Sequence, residues 1–138
     1  MQSKHYDCVI AGAGPAGIFA ALELTAQDPD RRVLMVDNGH HIDKRICPAR
    51  TTGHCMQCDP CSILHGWSGA GAFSDGKLSL SPDVGGRILD YQSRQTADRL
   101  ISYVDAQYVS FGAAGTVHGI GPEVDAIDYE ASRHNIQL

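Results

Sequence analysis

The sequence predicts an α/β fold that opens on a parallel βαβ unit, and three observations carry that expectation. Tyr6 to Ala11 (YDCVIA) is short, apolar and β-branched, the signature of a strand. Gly14 to Ala26 reads as a helix, rich in alanine and leucine and free of breakers after Gly17. Val33 to Asp37 (VLMVD) is again apolar almost throughout, as a parallel strand buried on both faces would be. Asp28-Pro29-Asp30 supplies the turn before it. Two strands joined by a helix form a right-handed crossover and therefore run parallel.

The junction of the first strand and helix carries chemistry. Gly12-Ala13-Gly14-Pro15-Ala16-Gly17 matches G-x-G-x-x-G, and it follows a strand and opens a helix, the context this string requires. Gly12 permits the tight turn, Gly14 lets a pyrophosphate reach the backbone, and Gly17 lets helix and strand pack closely. The free N–H groups and the dipole of the helix start attract phosphate. Asp37 stands twenty residues after Gly17 with Asn38 beside it. Its carboxylate suits a ribose diol and repels a 2′-phosphate, so NADP is disfavoured there. The expectation is a Rossmann-like dinucleotide site spanning residues 1–40, with FAD and NAD both open on these residues alone.

Residues 41–86 form a long Cys/Gly-rich loop. Cys47, Cys55, Cys58 and Cys61 fall within fifteen positions, and two C-x-x-C steps share Cys58. Such spacing suits zinc or an iron–sulfur cluster, a redox-active thiol pair, or thiols that pack beside a cofactor. Cys8 is expected to be a plain core residue. Beyond the cysteines, three glycines and two alanines lie between Gly66 and Ala72, bringing backbone close to a partner. Ser68, Gly69, Ala70 and Lys77 would offer a flat surface, backbone donors and a cation to a flavin ring. Trp67 reads as a packing anchor.

Residues 87–138 read as a helical segment. Ala97, Leu100, Ile101, Val104, Tyr108 and Phe111 recur at steps of three and four, one face of a helix from Arg87 to Phe111. Pro122 to His134 reads as a second helix, with Pro122 in its first turn and Glu123 and Asp125 near its positive end. Ile136 to Leu138 looks like the start of a strand.

Composition narrows the function classes. The net charge of −5 and the absence of a basic patch speak against nucleic acid. The apolar stretch Cys8 to Leu24 is interrupted at Gly12, Gly14, Pro15 and Gly17, so it is read as strand–turn–helix rather than as a signal peptide or a membrane span. A cytoplasmic protein with no membrane partner is expected.

Taken together, these motifs resemble the N-terminal part of a bacterial family of FAD-dependent dehydrogenases, or NAD(P)/FAD-dependent oxidoreductases, with two dinucleotide-binding domains. The resemblance rests on GAGPAG at Gly12 to Gly17, KRICPAR at Lys44 to Arg50, C-x-x-C-x-x-C at Cys55 to Cys61, GAGAFSDGKLSLS at Gly69 to Ser81, and VGG at Val84 to Gly86. It implies FAD in the βαβ unit, the Gly69 loop close to the isoalloxazine, and Arg45 near the FAD phosphates or adenosine. NAD(P)H would be the reductant, with the substrate and electron acceptor open. Asp37 departs from the glutamate of many FAD proteins, but it is still long enough to reach a ribose. Family members are several times longer, so the chain reads as truncated. In isolation it is expected to be poorly stable and to aggregate, because its sheet lacks later strands. The alternative is a metal- or nucleotide-binding module without turnover of its own, and a simple NAD-binding domain is the third reading. No catalytic acid or base is assigned.

Overall fold

The computed structural model describes residues 5–136. It is a mixed α/β structure in two compact units that divide between Lys77 and Leu78. In the first unit, strand β1 (Cys8–Ala11) leads into helix α1 (Pro15–Gln27), which returns the chain to strand β2 (Val33–Val36). The two strands form a parallel sheet with Cys8 opposite Val33 and Ala11 opposite Val36.

Both strands are shorter than the sequence pattern suggests, and polar groups set their limits. At the start, Asp7 N–H donates to Arg32 O at 2.9 Å, while the Asp7 carboxylate accepts from Arg32 N–H at 2.8 Å. At the far end, Gly12 N–H donates to Val36 O at 2.7 Å and the chain then turns into α1. Gly12 makes this turn with φ +111°, a conformation that costs glycine little.

The expectation of strands buried on both faces is corrected. Val9 and Val36 are 60% and 43% exposed, and Cys8 is half-buried rather than a core residue. Among the described residues the buried apolar side chains are Ala13 and Ala97, and no large side chain is fully buried. The loop after β2 is not wholly irregular. It holds a 3-10 turn at Ile42–Lys44, the one-turn helix α2 (Ala49–Thr52) and a second 3-10 turn at Gly69–Phe73.

The second unit contains helices α3 (Arg94–Ser110) and α4 (Pro122–Arg133). The sequence pattern placed the start of α3 at Arg87; the structure places it at Arg94. Ser93 explains the difference, because its hydroxyl accepts the Thr96 N–H at 3.2 Å and caps the helix. Ile88–Asp90, just before it, is a separate 3-10 turn. Of the expected apolar face of α3, only Ala97 is buried, and Phe111 is 79% exposed. Helix α4 begins at Pro122, which follows Gly121 at φ +112°, with Glu123 and Asp125 in its first turn. Ile136 is irregular, and the rest of the strand expected there lies outside the described residues. Among the described residues no helix is long and apolar enough to cross a membrane.

Candidate functional site

Two glycine-rich segments meet at the start of α1. Gly14 occupies the N-cap position and has no side chain to cap with, and Pro15 follows at the first helical position. The N–H groups of Gly14, Ala16 and Gly17 find no acceptor among the described residues. Three donors thus stand together at the positive end of a helix, the arrangement that receives an anion. Gly17 sits against β1. A Cβ there would overlap the carbonyl oxygen of Gly12 and press on Ile10 Cγ2 at 3.2 Å.

The Gly69 segment docks onto this turn. Ser68 N–H donates to Ala13 O at 2.8 Å, and a Cβ on Gly69 would stand 3.1 Å from Gly14 Cα and 3.5 Å from Pro15 Cδ. The closeness requires glycine on the Gly69 side, where φ is +54°. Ser68 also takes a left-handed conformation, φ +67°, which a non-glycine residue adopts only when its surroundings enforce it. Gly69 is buried and Ala70 is exposed.

Asp37 is the hub of the assembly. One carboxylate oxygen accepts the N–H of Ala13 at 2.9 Å. The other accepts the N–H of Gly39 at 2.8 Å and of Gly66 at 2.6 Å. These backbone donors hold its carboxyl below the usual carboxylate range, Ala13 and Gly39 contributing most and the nearby His65 adding to the effect. A carboxylate offers about four acceptor positions. Three are filled from within the protein, which leaves one for a ligand hydroxyl rather than the pair that a ribose diol would use. Asn38, beside it, turns its amide oxygen to His65 Nδ1 at 2.8 Å.

Arg45 is 5% exposed and serves the loop from inside. Its guanidinium donates to the carbonyls of Ser62 at 2.9 Å, Ile63 at 2.5 Å and Trp67. The group also lies 4.9 Å from the centre of the Phe73 ring, where a cation is attracted by the ring face. Among the described residues no carboxylate pairs with it. Its donors therefore go first to holding the segment 62–67 in place, and lysine could not reproduce that fork. Lys77 is exposed, with its ammonium 3.1 Å from Asp75. Trp67 is 42% exposed, with its ring tilted against His41, and its backbone N–H donates to His40 O at 3.3 Å.

Gly39 is a site residue that the sequence pattern did not single out. A Cβ on it would overlap Gly66 N and the His65 carbonyl carbon, and would stand 2.7 Å from Gly66 Cα. Two backbones cross here without side chains between them. The signal in the sequence was an isolated Asn-Gly after β2, which also suits an ordinary turn.

The four loop cysteines are all free. Cys55 and Cys58 are exposed, whereas Cys47 and Cys61 are half-buried. Among the described residues no three His, Cys, Asp or Glu side chains gather as a metal ion would need. The four thiols thus lie apart in this structure.

No protein-family profile matches the chain, and no solved structure matches it. The chain is 33% identical over 112 residues to an uncharacterized protein of Clostridium beijerinckii, a match that covers 78% of this chain and 20% of that protein. The chain thus spans about a fifth of the length of the curated relative it matches.

Proposed function

We propose that this chain supplies the dinucleotide-binding part of a flavoprotein oxidoreductase, with β1, α1 and β2 as the first crossover of a Rossmann-like fold and FAD as the cofactor. The observation that supports it most is the uncapped start of α1, where three N–H groups without acceptors meet two glycine-rich backbones. A pyrophosphate matches both features, since it brings negative charge and needs close backbone approach. The choice of FAD over NAD rests on the resemblance to FAD-dependent dehydrogenases carried by GAGPAG and GAGAFSDGK. When bound, the flavin would supply two-electron transfer between a reductant such as NAD(P)H and an acceptor.

The chain's own residues would bind and orient it. Gly14, Ala16 and Gly17 would donate to the phosphates. The remaining acceptor position of Asp37 would take one ribose hydroxyl. Ser68 and Gly69 form the second wall, held in register by the bond to Ala13. Arg45 would act by fixing that wall rather than by touching the phosphates.

The test is the visible spectrum of the purified chain, recorded before and after addition of FAD and repeated for Gly14→Ala. A Cβ at Gly14 meets only Gly69 Cα, at 3.9 Å, so the protein itself tolerates alanine there. Flavin bands should co-elute with the wild-type chain, and Gly14→Ala should weaken FAD binding by roughly tenfold, about 1.4 kcal/mol. Retention of NAD but not FAD would reassign the cofactor. A chain that takes up neither would refute the proposal for these residues.

A further inference from the structure

We propose that Cys55 and Cys58 form a dithiol–disulfide pair that exchanges with low-molecular-weight disulfides. Four observations carry it. Both thiols are free and exposed, as a disulfide reagent requires. They are separated by two residues, a spacing at which a short turn can bring two thiols together, and the second of these, Gln57, is left-handed at φ +53°. The backbone N–H of Gln57 donates to Cys55 Sγ at 3.5 Å. The Cys55 sulfur thus accepts from the chain that runs between the two thiols. Lastly, the four thiols do not gather into a metal centre.

The other two loop cysteines are set apart by their surroundings. Cys61 is half-buried, and its carbonyl accepts the N–H groups of Leu64 at 3.2 Å and His65 at 2.9 Å. Those bonds fix it in the turn that leads to Gly66. Cys47 is half-buried just before α2.

The exchange balances without a cofactor. The Cys55 thiolate attacks one sulfur of a disulfide such as glutathione disulfide, forming a mixed disulfide and expelling one thiolate. Cys58 then attacks the Cys55 sulfur, closes the Cys55–Cys58 bond and expels the second. The small disulfide gains two electrons, the dithiol loses two, and the two thiol protons end on the released thiols.

The experiment treats the full chain with glutathione disulfide under anaerobic conditions, caps the remaining thiols with an alkylating agent, and maps the peptides by mass spectrometry. The wild type should yield a Cys55–Cys58 link and release two thiols per chain. Cys58→Ser should retain glutathione on Cys55. Cys55→Ser should slow exchange roughly tenfold, because the attacking thiol of the pair is gone. Random linkage among the cysteines, four thiols that all remain alkylatable, or protection of all four by stoichiometric zinc alone would overturn it. No flavin enters this measurement, so its failure leaves the proposed FAD site standing, and loss of FAD binding leaves the thiol pair standing.

Discussion

Gly39→Ala is expected to lower the stability of the first unit by about 3 kcal/mol. The added methyl group would overlap the backbone of His65 and Gly66, not the end of a flexible side chain. Rotamer changes cannot relieve that overlap, so one of the two backbone segments must move. Movement would pull Gly39 and Gly66 away from the Asp37 oxygen that both now use. It would also shift Trp67, the sole tryptophan in the chain, whose backbone N–H is bonded to His40 O. Tryptophan fluorescence during urea unfolding therefore reads this junction directly. The midpoint should fall steeply for Gly39→Ala. Gly115→Ala is the control, because nothing lies within 4 Å of a Cβ there and its backbone is not left-handed. An unchanged midpoint in Gly39→Ala would show that the two segments do not cross in solution. A net folding stability of about 5–15 kcal/mol is usual for a domain. Ala13 is the buried apolar side chain among the described residues of this unit, so a loss of about 3 kcal/mol would be a large share.

The parts of the fold legible in the sequence are those written in local pattern. Strand β1, helix α1 and strand β2 follow from β-branched runs, an alanine-rich helix and glycines at fixed offsets. The tight turn at Gly12 and the close packing of Gly17 against β1 are local consequences of the same string. The apolar period from Ala97 to Phe111 fixes the body of α3 but not its start, which the Ser93 hydroxyl decides by capping the helix. Exposure was not legible either. Apolarity in VLMVD reads as burial on both faces, but burial depends on what packs above and below, and Val36 remains 43% exposed.

The candidate site divides in the same way. Gly12, Gly14 and Gly17 could be read from spacing. The work done by Arg45 could not, since its acceptors are the main-chain carbonyls of Ser62, Ile63 and Trp67. A carbonyl is present at every position, so no side-chain pattern marks these three. A basic residue near a phosphate motif suggests a phosphate ligand until the loop folds around it. Gly39 was hidden for a related reason: what excludes a side chain is a backbone more than twenty residues away. The glycine and alanine spacing of the Gly69 segment predicts close-approach backbone. That its neighbour would be the Gly14 turn itself, through Ser68 and Ala13, appears only in three dimensions.

Asp37→Ala should have the second large effect, and it should depend on pH. The carboxylate gathers the N–H groups of Ala13, Gly39 and Gly66, which belong to three separate stretches of chain. Truncation leaves three donors without their acceptor. Hydrogen bonds to charged groups contribute about 1.5–3 kcal/mol each, but water will satisfy part of the loss at this half-buried position, so about 2–3 kcal/mol in total is expected at neutral pH. Asp37→Asn should recover only part of it. The amide oxygen can still serve Gly39 and Gly66, but the amide nitrogen then faces the Ala13 N–H, donor against donor. The pH dependence follows from the lowered folded-state pKa of Asp37. Unfolding returns the carboxyl toward its ordinary value of 3.8, so below that value the unfolded chain binds the proton more readily than the folded one. The stabilisation is complete above that value and is lost as pH falls through the folded pKa. Wild-type stability should therefore decline below pH 3.8 by an increment that Asp37→Ala lacks, so the two urea midpoints, well separated at pH 7, should converge in acid. The same titration with FAD present distinguishes two roles for the carboxylate. If Asp37 acts only by pinning the loops, Asp37→Asn should weaken FAD binding in proportion to its loss of stability. If the remaining acceptor position also holds a ribose hydroxyl, binding should fall further than stability does, because a second hydrogen bond is lost that the unliganded protein never makes.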